Sequence, residues 1–298
     1  LNVEERWYIY PTPLFQPVDR NLNEWLVKYK GDLDRVNYGL RFQHYNLTGR
    51  RDALRLSLLN GYTRHISFAY TQPYSNSNLT EGFAIGAGFS QVREVIYQTS
   101  KNNKLLFYNN GKFSSRVIFA SAAYILRKAI RDRHTFAITF SHINIDDTIV
   151  TQRYNPKYFN DNSAIQNIID ISYLYQYINV NNIAYPLKGE TYNFFVIKRG
   201  LGLTGGINML SVEGGYNKYI PWKKNYYFSI QSYAKLKLPL DLAYLNQRAM
   251  GFGDHTLRGL QYYVIDGAAF GYIKTTLKKK VYSFKVPFPW KFISHKYI

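Results

Sequence analysis

Arg258 is the side chain whose type and setting point most directly to chemistry. It lies between Leu257 and Gly259, with Leu260 next and Asp266-Gly267 further on. Its planar fork of donors suits carboxylates or carbonyls, and Gly259 lets the backbone turn sharply beside it. With a second turn expected at Asp266-Gly267, residues 253–267 read as a long loop pinned by one arginine. Taken alone, an Arg-Gly pair is an ordinary surface turn, so the rest of the chain must decide.

Bond-breaking chemistry is harder to assemble. His44, His65, His134, His142, His255 and His295 fall one per segment without metal-ligand spacing. Gly88-Phe89-Ser90 lacks the second glycine of a nucleophile elbow. Asp146 and Asp147 read as a solvated loop, not an acid/base couple. The run from Gly200 to Gly205 satisfies G-x-G-x-x-G, but that fingerprint works only where the loop opens a helix. Residues 207–219 are strand-like instead and contain Gly214-Gly215. The chain is therefore expected to be no enzyme and to need no cofactor or metal, with a Ser-His pair meeting only in space left open.

The elements that must position Arg258 are strands. Ile66, Phe68 and Tyr70 alternate with His65, Ser67, Ala69 and Thr71, and Phe136, Ile138 and Phe140 alternate with Ala137, Thr139 and Ser141. Over residues 226–238, Phe228, Ile230, Ala234, Leu236 and Leu238 oppose Ser229, Gln231, Tyr233, Lys235 and Lys237, a run long enough to cross a membrane. Leu54, Leu56 and Leu58 form another dyad, as do Ile273, Leu277 and Val281. Lysines repeated on one face are costly in a soluble core and at ease in a wet lumen. Phe83, Ile85, Ala87 and Phe89 stand opposite Gly82, Ala84, Gly86 and Gly88, so something is expected to pack closely on that wall. Turns are expected at Thr48-Gly49, Asn60-Gly61, Asn109-Asn110-Gly111, Lys188-Gly189 and Gly205-Gly206, and longer loops at residues 76–81, 146–167 and 240–263. The pattern gives about twelve strands with short turns on one side and longer loops on the other, as in an outer-membrane barrel.

Composition agrees. Tyr 29 and Phe 19 in a chain of slightly negative mean hydropathy suit many short strands, and no run of roughly 20 apolar residues exists for a helical span. Trp7, Tyr8, Tyr10, Trp25, Trp222 and Trp290 fall near strand ends, as girdle residues do. Zero cysteines exclude a disulfide framework. The net charge of +19 first suggests a polyanion. Its basic residues are scattered through alternating strands, however, so a positive barrel interior or rims facing lipopolysaccharide explain them better than nucleic acid does.

Several segments carry a family resemblance. Residues 5–13 followed by 19–25 look like the first barrel strand and adjoining segment of the BamA superfamily (the bacterial surface antigen family), in a branch typical of Bacteroidetes-type bacteria. Residues 46–52 resemble its tight second hairpin, and Gln72-Pro73-Tyr74 resembles its strand closing on a proline and an aromatic. Leu257-Arg258-Gly259-Leu260 resembles the motif these barrels fold into their own lumen, followed in order by residues 263–267 and 273–278. The resemblance covers nearly the whole chain. It implies an all-β, antiparallel transmembrane β-barrel over residues 1–298, with about 12 to 13 of roughly sixteen strands present. POTRA domains are expected upstream and the last strands downstream, with Arg258's aspartate partner among the latter. It also implies insertion or translocation of client polypeptides through a lateral seam. The seam strand, residues 6–15, contains Trp7, Tyr8, Ile9, Tyr10, Pro11 and Pro13, and Pro11 and Pro13 are expected to remove two ladder donors from it. Implied partners are outer-membrane lipids, lipopolysaccharide, client β-barrel or secreted polypeptides, and accessory lipoproteins. The alternatives are a passive porin-like channel, the barrel of a patatin-type phospholipase, or a soluble basic β protein.

Overall fold

The computed structural model describes residues 7–18, 22, 24–202, 206–253, 255–256, 259 and 263–282. Its strands are β1 (Ile9–Pro17), β2 (Val36–Tyr45), β3 (Ala53–Gly61), β4 (Thr63–Gln72), β5 (Glu81–Val92), β6 (Val95–Thr99), β7 (Leu105–Tyr108), β8 (Ser115–Leu126), β9 (Asp132–Ile145), β10 (Ile165–Val180), β11 (Gly189–Arg199), β12 (Met209–Lys223), β13 (Tyr226–Leu238), β14 (Arg248–Met250), β15 (Ile265–Asp266) and β16 (Ala269–Lys279). Twelve of them form one antiparallel sheet in the order β1-β2-β3-β4-β5-β8-β9-β10-β11-β12-β13-β16. Two hairpin-like pairs, β6 with β7 and β14 with β15, lie outside it. Among the described residues the helical elements are single short turns.

The alternation fixes two faces. On one, Ile66, Phe68, Ile85, Ile118, Ile138, Ile171, Phe194, Leu236 and Ile273 are exposed, a band of apolar side chains that water would not tolerate and lipid would. On the other stand Ser67, Thr139, Gln231 and Lys235, with ion pairs from Lys235 to Glu213 at 3.3 Å and from Arg199 to Asp170 at 3.9 Å. The strand expected over residues 226–238 is found with those bounds. Gly88 shows what packs on the glycine-rich strand: a Cβ there would lie 2.6 Å from the ring of Phe119, its cross-strand neighbour on β8.

Connections sort by length. Residues 46–52, 73–80, 127–131, 181–188 and 224–225 join strands at one end; residues 18–35, 93–114, 146–164, 200–208 and 239–268 join them at the other. At that second end β3 also passes to β4 through the single residue Tyr62. Gly61 makes this possible, since a Cβ would meet the Val36 carbonyl at 2.2 Å and its φ is +116°. Residues 93–114 form a long connection that strand periodicity does not reveal, because β6 and β7 are too short to alternate convincingly.

The long connections are not loose. Val95, Ile149, Tyr158, Phe159, Ile207 and Tyr244 come from four of them and pack with Ile145 of β9 and Ile168 of β10 into one buried cluster. Both wall residues lie on the face of Thr139, so these four connections fold over the inner face as a cap. Backbone bonds from Tyr244 to Lys157 (3.0 Å), Leu245 to Tyr158 (3.2 Å) and Val264 to Asn103 (2.9 Å) tie the connections to one another.

Candidate functional site: a capped inner face and an open strand edge

The connection that carries the Arg-Gly motif, residues 239–268, is held to the wall at two points. The first is Lys237, which the alternation places on the inner face and which is only 4% exposed. Its ammonium donates to the carbonyls of Asn246 (2.7 Å), Arg248 (2.5 Å) and Gly267 (3.4 Å). A wet lumen is thus the wrong description at this lysine, because the cap has replaced its water with backbone oxygens. The second point is His255, whose ring lies 4.5 Å from that of Tyr233 and 5.3 Å from that of Phe270. Its Nδ1 is 3.2 Å from the Tyr272 hydroxyl.

Leu257, Arg258 and Leu260 lie outside the described residues. Gly259 has φ +81°, the left-handed region expected of a glycine beside a sharp turn. Asp266 lies in a strand instead of a turn: β15 places it opposite Arg248 of β14, and the chain bends at Ala268 before β16. The Gly267 amide donates to Gln247 at 2.6 Å. Asp146, expected in a solvated loop, caps a turn instead. It accepts from the Thr148 amide at 3.0 Å, Tyr108 at 3.1 Å and Asn110 at 2.7 Å. Partial burial opposes its ionisation, and the bonds from Thr148 and Tyr108 outweigh that and hold its carboxyl below the ordinary 3.8. After Gly200 and Gly202 the chain enters β12, a strand, so the G-x-G-x-x-G run opens no helix.

The other feature is the edge of β1. Ile9 to Pro17 pair with β2 along the whole strand, and no strand is paired on the far side among the described residues. Bonds from Tyr45 N to Tyr8 O (2.8 Å) and from Val18 N to Arg35 O (2.9 Å) fix which residues face β2. Even-numbered residues of β1 turn their N–H and C=O to β2, and Ile9, Pro11, Pro13, Phe15 and Pro17 turn theirs to the open side. The prolines therefore leave the β1–β2 ladder intact. They strip donors from the open edge, and Pro17 joins Pro11 and Pro13 in doing so. That common parity was visible in the sequence once the register was known. Trp7 and Ile9 share the outer face with the prolines, whereas Tyr8 and Tyr10 have inner-face parity, with Tyr10 against Tyr45 at 5.7 Å between ring centroids.

An aromatic belt that strand-end reasoning missed lies on the outer face toward the short turns. Tyr177 stacks on Tyr192 at 4.5 Å, Tyr175 donates to Asp132 at 2.7 Å, and Phe136 lies against Tyr173. The Tyr175 tip bonds Asp132 and the Tyr173 hydroxyl lies 2.9 Å from His134 Nδ1 while their rings stay on the apolar band, the arrangement that suits a membrane interface.

No protein-family model matches this chain, and no curated protein does. Among solved structures it is similar to BamA from Haemophilus ducreyi lacking POTRA domains 1–3, with TM-score 0.59 and 14% identity over 88% of this chain and 52% of that one. It is also similar to CdiB from Escherichia coli, with TM-score 0.54 and 11% identity over 95% of this chain and 50% of that one. The chain thus spans about half the length of each. At such identities the likeness is one of fold, an antiparallel β-barrel of the outer-membrane type.

Proposed function

We propose that this chain is the membrane barrel of an assembly or translocation factor in the bacterial outer membrane, and that β1 offers its open edge to client polypeptides. The observation that carries the reading is the polarity of that edge. Five carbonyls face outward, and three of the five accompanying donors are replaced by proline nitrogens. An edge of this kind can accept bonds from an incoming strand by β-augmentation. It cannot build a full ladder with that strand, so the guest is held and can still leave.

The cap supports the same reading over a passive channel, because the connections that close the inner face are interlocked through their own buried cluster. Arg258 would then act as a third pin on the motif connection, beside Lys237 and His255. Lipopolysaccharide and phospholipid form the surroundings of such a protein, client β-barrel or secreted polypeptides are its cargo, and accessory lipoproteins are the partners its resemblance implies. Neither nucleotide nor metal has a role in this scheme.

A photo-crosslinking amino acid placed at Ile9 or Phe15, in membranes synthesising a client barrel, tests it. Adducts with the client are expected at both positions and not at Ile138 in the middle of the wall. Adducts at Gln231 on the inner face, with none on β1, would move the reading to translocation through the lumen. Absence of client adducts at all these positions would remove the reading.

A further inference from the structure

The outer face of β2 to β8 carries two rows of side chains in register. One row is apolar: Leu40, Leu58, Ile66, Phe89 and Ile118 stand opposite one another across five strands. The next row toward the long connections is polar: Tyr38 opposes Asn60 and bonds it at 3.2 Å, Arg64 opposes Gln91, Gln91 opposes Arg116, and Arg116 opposes Asn144. Leu40, Leu58, Ile66 and Phe89 of the apolar row and Tyr38, Asn60, Arg64 and Gln91 of the polar one line a groove of about 480 Å³, within the ordinary size of a small-molecule site.

The charge beside the polar row is unbalanced. Arg64 lies 4.6 Å over the ring of Phe113, and Arg93 lies 5.3 Å over the same ring. The Nε of Arg93 is buried without a hydrogen-bond partner. With its amide oxygen turned toward Arg116, Gln91 accepts from that guanidinium at 3.2 Å. The acidic group of the neighbouring connection, Glu94, is engaged by Arg35 at 3.6 Å and Asn109 at 3.4 Å. No ion pair reaches Arg64, Arg93 or Arg116 among the described residues. Arg64 and Arg93 share one ring and Arg116 stands beyond Gln91 from Arg64, so these guanidinium groups repel one another unless an anion joins them.

We propose that this groove is a binding site for a lipid whose phosphate head group carries net negative charge. One acyl chain lies along Leu40, Leu58, Ile66 and Phe89, and the phosphate sits among Arg64, Arg93 and Arg116, whose forks match its oxygens. A soluble anion would have no use for the apolar floor, and a neutral lipid would leave the arginines unpaired. The site rests on the outer-membrane reading, since only a lipid-facing wall places an acyl chain there.

The test is native mass spectrometry of the full chain purified in a zwitterionic detergent, with each variant first checked for heat-modifiable gel mobility. The probes are dimyristoyl phosphatidic acid, dimyristoyl phosphatidylcholine with the same chains, and inorganic phosphate. Phosphatidic acid should be retained about tenfold better than phosphatidylcholine, as charge-assisted bonds to one head group predict. The double variant Arg64→Gln/Arg116→Gln should lose that preference. Arg64→Lys should keep part of it, and Leu58→Trp should block retention of both lipids by filling the groove. Equal retention of the two lipids, or an unchanged preference in a folded double variant, overturns the site. Displacement by inorganic phosphate at equal concentration also overturns it, because the head group alone would then suffice. A wild-type chain without a heat-modifiable form sinks the barrel reading itself, whereas a heat-modifiable chain with no lipid preference sinks only this site.

Discussion

An ammonium group held by three backbone carbonyls fixes a loop more firmly than a solvated ion pair would, because water no longer competes for either side. Lys237→Met keeps much of the side-chain volume and leaves the carbonyls of Asn246, Arg248 and Gly267 unpaired. The expected cost is about 1 to 3 kcal/mol, seen as faster protease cleavage within residues 239–268 in membranes while β13 stays folded. Wild-type resistance in that variant would show that Lys237 is not an anchor. Arg258→Ala, if that side chain is shielded in the lumen, should loosen the same connection by about 3 to 5 kcal/mol, with Arg258→Lys rescuing only part. Asp146 gives a pH signature. Its folded carboxyl is held below 3.8, so its contribution is present above that value and is lost as pH falls through the depressed one. Pepsin access to residues 146–164 should therefore rise only at pH below the ordinary carboxylate value, and Asp146→Asn should flatten that dependence. A wild-type profile that already climbs well above 3.8 would contradict the sign.

At the scale of the strand, β1 makes a directional prediction. Pro11→Ala, Pro13→Ala and Pro17→Ala together restore three donors to the open edge without touching the ladder to β2. The edge then holds a guest strand more tightly, so crosslinked client should accumulate at Phe15 while completed client barrels fall. Unaltered release in the triple variant would mean that donor supply does not set the seam's strength. The register behind this prediction shows where sequence reasoning reached and where it stopped. Ile66 to Tyr70 and residues 226–238 announce their strands because a period of two survives wherever one face meets lipid. The inner position of Lys237 follows from the same rule. Its partners do not, since carbonyls carry no residue label and the cap's connections have no period to read. The parity of Pro11, Pro13 and Pro17 was written in their numbers, but which parity faces the open side depends on β2, a long-range pairing. Tyr173, Tyr175, Tyr177 and Tyr192 escaped notice as a belt because they sit inside strands and come together only across β10 and β11.

For the molecule as a whole, the question is whether a wall with lipid on one side and a cap on the other behaves as a closed assembly or as an open pore. Thiol labelling separates these. In membranes, Phe68→Cys and Ile138→Cys should resist a membrane-impermeant reagent, since both side chains lie in the outer apolar band. Ser67→Cys and Thr139→Cys, on the opposite parity, should react from the aqueous interior. Ser211 is also on the inner face, at the long-connection end of β12, but it is only 1% exposed. Ser211→Cys should therefore stay unlabelled in the wild-type background and become reactive when Lys237→Met loosens the motif connection. Planar-bilayer recording adds the electrical counterpart: low and sporadic conductance with Lys237 present, and more frequent opening in Lys237→Met. A steady large conductance from the wild-type protein, with Ser211→Cys labelled from the start, would favour the porin-like channel. Strong labelling of Phe68→Cys and Ile138→Cys with protection of Ser67→Cys and Thr139→Cys would reverse the two faces and overturn the barrel orientation on which the seam, the cap and the lipid groove all depend.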